Sequence, residues 1–264
     1  NKELASSLAY ALKIAVNSVY GLTAAKFSNK LRDPRNKDNI VAKYGELFMM
    51  NLKREVQSRG FRVIHIKTDS IKISSPTKEI EQFIFDYGKQ YGYNFEVESE
   101  YERMCLVNDA VYIAKTKDGK WTATGAQFAQ PFIFKYLFSK EPIEFYDKCE
   151  TKSVSTAMYL DMNENLPEGE HNYIFVGKAG QFCPIKPNCG GGDLVRIKDD
   201  KYYFVGGTKG YKWLESEIVK NNNLEENIDI NYYRELVDQA IAKISEFGDF
   251  DAFVNAEPIM NLPE

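Results

Sequence analysis

The sequence predicts an α+β fold in which helices pack against antiparallel strands. Three observations predict it. Apolar residues recur every three or four positions in several long segments, short apolar or alternating segments lie between them, and neighbouring strand segments are separated by tight turns. Helices mixed with antiparallel strand pairs along one chain are typical of the α+β class. With 264 residues, the chain is long enough for one large domain or two modest ones.

The first third of the chain contains three predicted helices and one predicted hairpin. The helices cover residues 4–26, residue 40 to near Gly60, and residues 79–91. The hairpin strands, 61–66 and 71–74, are joined by four residues that place Asp69 at the tip. A carboxylate at that place points away from a core.

The remaining two thirds are predicted to contain more strands than helices. Residues 95–101 alternate apolar and acidic side chains, which is typical of a half-buried strand with an acidic solvent face. The glycines 190–192 indicate a flexible turn, since the GxxxxGK[ST] pattern of a phosphate loop is absent. Asp229 is a suitable cap for a last helix that ends near Gly248. The other predicted strands are 104–107, 110–115, 121–124, 153–161, 173–176, 194–198 and 202–205, and the other predicted helices are 128–139 and 213–220.

Composition excludes a protein with an overall basic field, because the net charge is −4 and the pI is about 5.5. Any phosphate would therefore be bound by a local group of basic residues. The basic residues between positions 26 and 37 either form such a group or belong to a solvated surface loop, and the sequence favours neither interpretation. These residues are Lys26, Lys30, Arg32, Arg35 and Lys37. The four cysteines lack CxxC spacing, which disfavours a zinc site and favours buried free thiols in a reducing compartment.

No apolar run approaches the roughly 18 residues of a membrane span, and there is no secretory signal, so no membrane partner is expected. Because the chain begins with Asn1 and leads straight into a helical pattern, it is expected to be a fragment of a longer polypeptide.

The first helix carries a narrow polar stripe. At 100° per residue, Lys13, Asn17 and Tyr20 share one side of it, and Leu8, Leu12, Ala15, Val16 and Val19 gather on the other side, which is expected to pack. At about 1.5 Å per residue the stripe is roughly 10 Å long, close to the length of a nucleotide. A cation, an amide and an aromatic ring in this order suit such a ligand.

The segment K-x-x-x-N-S-x-Y-G, from Lys13 to Gly21, followed by Thr68-Asp69-Ser70 in a hairpin, resembles two motifs of family B DNA polymerases, most closely those of bacteriophages. The resemblance implies that Lys13 contacts the incoming triphosphate, that Asn17 and Gly21 belong to the nucleotide pocket, and that Tyr20 packs against the new base pair. It implies that Asp69 ligates the catalytic metals, two Mg²⁺ ions with Mn²⁺ as the alternative. Lys13 and Asp69 are thus the catalytic candidates.

The same resemblance implies a division of the chain into a partial fingers helix, 1–26, a palm, 27–125, and a mixed α/β thumb, 126–264. The palm is an antiparallel sheet with packing helices. The partners implied are a dNTP and primer-template DNA, with contacts from Thr68, Ser70, Tyr112 and Lys115. The implied location is the cytoplasm of a bacterial host, if the chain is encoded by a phage.

The sequence departs from the family pattern in two places. Lys67 stands where a second aspartate is usual, and a lysine does not ligate a cation. The motif that brings the other metal-ligating aspartate lies upstream in the family and is absent here, as is the exonuclease. The chain is therefore expected to be inactive without an N-terminal portion, which belongs to the same protein or to a separate chain.

Four of these candidate residues also have an ordinary structural explanation. Asp69 is a common turn residue, Tyr112 a packing residue, Lys13 a solvated helix lysine and Tyr20 a core residue. At the level of the whole chain, two alternatives stay open. One is a non-catalytic nucleic-acid-binding or structural subunit derived from such a polymerase, and the other is an unrelated α+β protein with a chance match.

Overall fold

Helices and antiparallel sheets both contribute to the fold, which confirms the predicted α+β class. The structure is a computed structural model that describes residues 2–163, 166–167, 169–199 and 201–255. The chain divides into two units, Asn1–Glu98 and Ser99–Glu264. The division into fingers, palm and thumb is a division by role, and it stays a prediction.

The described residues of the first unit form three α-helices and one hairpin, all predicted from the sequence, and a 3₁₀ helix, Pro34–Asn39, which was not predicted. The bounds of the α-helices and strands are α1 (Lys2–Ala24), α2 (Ile40–Ser58), β1 (Val63–Lys67), β2 (Ser70–Ile73) and α3 (Lys78–Gln90). The strands β1 and β2 are antiparallel and form a two-stranded sheet of their own.

The core of this unit lies between α2, α3 and the hairpin. One side of α2 buries Met49, Leu52 and Val56, which recur at helical spacing, and α3 contributes Ile80 and Ile84. Apolar residues of both hairpin strands pack against these side chains. The Thr77 side chain accepts a hydrogen bond from the Ile80 amide, and this cap fixes the start of α3.

The strand predicted over residues 95–101 is wrong except at its last residue. Residues 93–100 form no regular structure, and only Tyr101 begins a strand. Alternation in sequence describes the two sides of an extended segment, but a strand also needs a neighbouring strand to pair with. Phe95 instead stacks on Phe48, with the ring centroids 6.1 Å apart.

The second unit contains two antiparallel sheets. In the first sheet, β4 (Val111–Thr116) lies between β3 (Tyr101–Asn108) and β5 (Trp121–Thr124). The second sheet has five strands in the order β10, β7, β6, β8, β9. Their bounds are β6 (Glu150–Asp161), β7 (Tyr173–Ile185), β8 (Asp193–Lys198), β9 (Lys201–Phe204) and β10 (Lys212–Glu215).

Helices pack against both sheets of the second unit. Its described α-helices are α4 (Ala126–Ala129), α5 (Pro131–Phe134), α6 (Ser216–Asn221), α7 (Ile230–Ser245) and α8 (Phe250–Asn255). Helix α4 lies beside β4 and β5, and α6 lies beside β7 and β10. The predicted cap of α7 is confirmed, because the Asp229 side chain accepts a hydrogen bond from the Asn231 amide at 3.0 Å.

Two predicted helices of this unit need correction. Residues 128–139 do not form one helix, since Pro131 starts a new one and a π-helical turn, Lys135–Ser139, follows it. Residues 213–215 belong to β10, where Trp213 and Leu214 pair with β7, and the helix begins only at Ser216. A short apolar run does not distinguish a buried strand from a buried helix.

The glycines 190–192 do not form the predicted flexible turn throughout. At Gly191 and Gly192 the backbone instead lies in close contact with neighbouring backbone segments. Gly192 exchanges two backbone hydrogen bonds with Trp213, at 2.9 and 2.7 Å. A Cβ atom at Gly192 would lie 2.8 Å from the Asp161 carbonyl oxygen, and one at Gly191 would lie 3.2 Å from the Trp213 amide nitrogen. These glycines let the chain pass tightly beside β6 and β10.

Candidate functional site

The residues of the polar stripe lie on one continuous helix, α1, as the sequence predicts. Lys13, Asn17, Tyr20 and Gly21 are all exposed. The spacing of the first three places their side chains within about 60° of one another around the helix axis. The stripe is therefore accessible to a ligand along its length.

The apolar side of α1 is also exposed, which corrects the expectation that it packs. The exposed fractions of Leu8, Leu12, Val16 and Val19 lie between 47% and 67%. Hydrophobic periodicity identifies the apolar side of a helix, but it does not show that the covering element belongs to the same chain. No helix among residues 2–163, 166–167, 169–199 and 201–255 is both long and apolar enough to cross a membrane.

The last turns of α1 are held by hydrogen bonds to the segment that follows. The Tyr20 hydroxyl donates to the Asn39 side-chain oxygen at 2.9 Å. Asn36, which is buried, donates from its side chain to the Thr23 hydroxyl at 2.9 Å, and Thr23 donates to the Tyr20 carbonyl at 2.7 Å. These contacts restrict the Tyr20 ring, the aromatic end of the stripe.

The sequence analysis missed the roles of Asn36 and Asn39. Asn39 has a left-handed backbone, with φ 56° and ψ 42°, immediately before α2. Asparagine tolerates this conformation better than most residues. Two asparagines close to a proline in a polar segment were therefore a sequence signal for an unusual backbone conformation before α2. That signal does not predict that Asn36 bonds to Thr23, thirteen positions away, or that Asn39 bonds to Tyr20, nineteen positions away.

Part of the basic segment borders a cleft beside the end of α1. The cleft has a volume of about 620 Å³, and its lining includes Lys26, Arg32, Asp33 and Asp38. The Arg35 guanidinium pairs with the Asp33 carboxylate at 2.8 Å. Hydrogen bonding to Arg35 lowers the pKa of Asp33. Lys26 and Arg32 are thus the cations of this segment best placed for an anionic ligand in the cleft.

The hairpin places Asp69 at its tip, as predicted. Lys67 pairs with Ser70 across the two strands, so Thr68 and Asp69 form the connection, and Asp69 is exposed. Ser70 donates from its hydroxyl to the Lys67 carbonyl at 3.1 Å. Thr68 has a φ of 53°, a conformation that β-branched residues rarely adopt. Strained backbone of this kind persists where the surrounding structure imposes it, and it clusters at functional sites.

A divalent cation needs more ligands than this hairpin supplies. In the described part of the chain, no three histidine, cysteine or acidic side chains are grouped so that they could hold a metal ion. The neighbouring Lys67 adds positive charge and no ligand. Asp69 therefore fits a metal only as one ligand of a site that other groups complete.

The remaining predicted contact residues, Tyr112 and Lys115, lie on β4, the middle strand of the three-stranded sheet. Tyr112 is half-buried and pairs with Leu106 and Thr124 on the two neighbouring strands. The Lys115 ammonium lies 3.8 Å from the Glu102 carboxylate. A phosphate at Lys115 would therefore compete with this acidic partner.

A scan against protein-family models and a search of curated proteins return no match. Among solved structures, the chain is similar to the family B DNA polymerase from the hyperthermophilic archaeon Pyrobaculum calidifontis, with a TM-score of 0.37 and 11% sequence identity. The match covers 85% of this chain and 30% of that chain, so this chain spans less than a third of that polymerase. A structural similarity this weak does not support an inference about function. Any inference about the function of this chain depends on the motif residues.

Proposed function

We propose that this chain is part of a DNA-directed DNA polymerase of the family B type that transfers nucleotides from a dNTP to a primer 3′-hydroxyl. The observation that carries the proposal is the motif-spaced stripe Lys13, Asn17, Tyr20 and Gly21, which is exposed on α1 in the same unit as the hairpin aspartate, Asp69. In this proposal the chain works together with an N-terminal polymerase portion, from the same protein or a separate chain.

Lys13 would bind the triphosphate, since no acidic side chain of the described residues forms an ion pair with it. An ammonium group that is exposed and not paired keeps its full attraction for phosphate oxygens. Asn17 and the Tyr20 ring would bind the sugar and base, with Tyr20 restrained by its hydrogen bond to Asn39.

Gly21 gives independent support to a ligand at this end of the stripe. Within α1 a glycine costs about 1 kcal/mol relative to alanine. Apart from its chain neighbours and the nearby backbone of α1, no described atom lies within 4 Å of the place where its Cβ would be, so packing within the described chain does not require a glycine there. Close approach of a nucleotide is a reason for a glycine at this position.

The complete site would use two divalent ions, Mg²⁺ or Mn²⁺, which neutralise developing charge on the phosphates and activate the primer hydroxyl. Asp69 would be the ligand from this chain, and the second carboxylate would come from the N-terminal portion. Thr68, Ser70, Tyr112 and Lys115 would contact primer-template DNA, and residues 126–264 would grip the duplex as a thumb. The reaction would take place in the cytoplasm of a bacterial host.

Primer extension tests the proposal. The chain alone, the polypeptide encoded immediately upstream, and their mixture are each incubated with a short primed template, Mg²⁺ and four dNTPs. Extension in the mixture and not in either component is the expected result. If the two polypeptides bind each other and the mixture still does not extend the primer, the polymerase proposal is wrong.

Lys13→Ala is expected to raise the KM for dNTP by about 10- to 100-fold, because it removes a charge-assisted contact of about 1.5–3 kcal/mol. Steady-state primer extension with the complete polymerase measures the change. Lys13→Arg, which keeps the charge, is expected to retain most of the affinity.

The matched control is Lys43→Ala, which removes another exposed helix lysine of the same unit. Lys43→Ala is expected to leave the KM unchanged. Equal effects of the two alanine variants would contradict a specific role for Lys13.

Gly21→Ala is expected to separate stability from function. The new methyl group meets no described atom outside the local backbone of α1 and favours the helix, so the free energy of unfolding should rise by about 0.5–1 kcal/mol. The KM for dNTP should rise, because the methyl group occupies space that the nucleotide needs. Urea unfolding and primer extension measure the two quantities, and unchanged kinetics would remove Gly21 from the nucleotide site.

A second candidate is a non-catalytic subunit that binds nucleic acid or has a structural role. It is favoured by Lys67 at the hairpin tip, beside the only carboxylate of the predicted metal site. Binding of a labelled dNTP by the assembled protein separates the two candidates, since a scaffold has no need of a triphosphate site. Wild-type binding that Lys13→Ala abolishes would support the enzyme.

A further inference from the structure

Two cysteine side chains of the second unit are in direct contact. The sulfur atoms of Cys149 and Cys183 lie 3.4 Å apart, and both side chains are buried. Glu150 pairs with Phe182 across β6 and β7, so Cys149 and Cys183 come next in the same antiparallel register. A disulfide has a sulfur–sulfur distance of about 2.05 Å, so the pair needs a movement of little more than 1 Å to form one.

A cavity of about 290 Å³ adjoins the Cys149 side of this pair. Its lining includes Phe145, Lys220 and Glu225. The Phe145 carbonyl accepts a hydrogen bond from the Cys149 thiol at 3.6 Å. Cys149 is thus next to a residue that lines the cavity, and it keeps 7% of its surface exposed, whereas Cys183 has none.

The two thiols are not equivalent. A hydrogen bond from Cys183 lowers the pKa of Cys149, although burial and the carboxylates of Asp147, Glu150 and Glu225 oppose this effect. The same contact, together with burial, raises the pKa of Cys183. Because the thiolate is the nucleophile and Cys149 is the more exposed of the two sulfurs, Cys149 is the sulfur that reacts first.

We propose that Cys149 and Cys183 form an oxidation site for small hydroperoxides, with Cys149 as the attacking sulfur and Cys183 as the resolving sulfur. The Cys149 thiolate attacks one peroxide oxygen, the oxygen–oxygen bond breaks, and the leaving oxygen takes a proton and departs as water or an alcohol. The Cys183 sulfur then attacks the Cys149 sulfenic acid and forms the disulfide, while its proton and the sulfenic hydroxyl leave as a second water. Both sulfurs are oxidised, and the peroxide is reduced.

The disulfide would join the turn Phe145–Lys148 to the strand β7 through residues that are 34 positions apart. Such a crosslink restricts the unfolded chain and stabilises the fold when it forms without distortion. This inference is independent of the polymerase proposal, because none of the nucleotide, metal or DNA candidates lies at the thiol pair.

The experiment uses the reduced full chain treated with stoichiometric hydrogen peroxide and then alkylated. The mass of the untagged oxidised chain is expected to fall by about 2 Da, the mass of two hydrogens. Trypsin releases Cys149 in peptide 149–152 and Cys183 in peptide 179–196, which also contains Cys189. Mapping is therefore done in the Cys189→Ser variant, and a crosslink between these two peptides is expected there.

Single substitutions assign the order of the two sulfurs. Cys183→Ser is expected to leave a sulfenic acid at Cys149 that dimedone traps, and Cys149→Ser is expected to leave Cys183 as a thiol. Circular dichroism spectra confirm that each variant is folded. If oxidation of the folded wild-type chain yields sulfinic acids, a crosslink to Cys105 or Cys189, or no change in mass, the proposal is wrong.

Discussion

Asp69→Asn is expected to abolish primer extension by the complete polymerase, lowering kcat by about 10³-fold or more. The amide keeps the size and shape of the side chain but loses the negative charge that a Mg²⁺ ion requires. A bound metal supplies several kcal/mol of transition-state stabilisation, and about 1.4 kcal/mol corresponds to a factor of ten in rate. Single-turnover primer extension at saturating dNTP measures the loss.

The exposure of Asp69 makes this test clean. A carboxylate at a solvent-facing hairpin tip contributes little to stability, so Asp69→Asn should unfold at the same urea concentration as the wild type. Asp118→Asn is the matched control, because Asp118 is also an exposed aspartate in a turn between two antiparallel strands, β4 and β5. Extension that survives in Asp69→Asn, or is lost equally in Asp118→Asn, would show that Asp69 is not the ligand.

The elements that carry the candidate site were readable from the sequence because each depends on local patterns. Helical spacing determines which side of α1 Lys13, Asn17 and Tyr20 share, whatever the helix packs against. The hairpin follows from two short apolar strands around polar residues, and its register places Asp69 at the tip. Their roles in nucleotide and metal binding stay predictions.

What the sequence did not predict depends on partners distant along the chain. The hydrogen bond from Tyr20 to Asn39 joins residues nineteen positions apart, and the contact of Gly192 with Trp213 joins the residue before β8 to β10. In the described part of the chain, residues 95–99 belong to no strand, although their alternation is regular. An amphipathic pattern shows which side of a helix or strand is apolar. It does not show which other element packs against that side, because this depends on the folded chain.

Trp213→Ala is expected to lower the free energy of unfolding by about 3–5 kcal/mol, the usual cost of removing a large buried aromatic side chain. Trp213 is fully buried in the second unit. Its ring meets the edge of Tyr232 at 5.3 Å, and its indole N–H donates to the Thr208 carbonyl at 3.0 Å. Alanine leaves a cavity between β10 and α7. Urea denaturation followed by circular dichroism measures the loss.

The other tryptophan of the chain provides the comparison that separates burial from residue type. Trp121 is only half-buried and packs against Phe138 and Phe253. Because less apolar surface leaves water there, Trp121→Ala should cost less than Trp213→Ala. Trp213→Phe keeps most of the ring volume but removes the donor to Thr208, so about 1–3 kcal/mol should be lost through that bond and the remaining space. If Trp121→Ala costs more than Trp213→Ala, the core of the second unit is not centred where β10 meets α7.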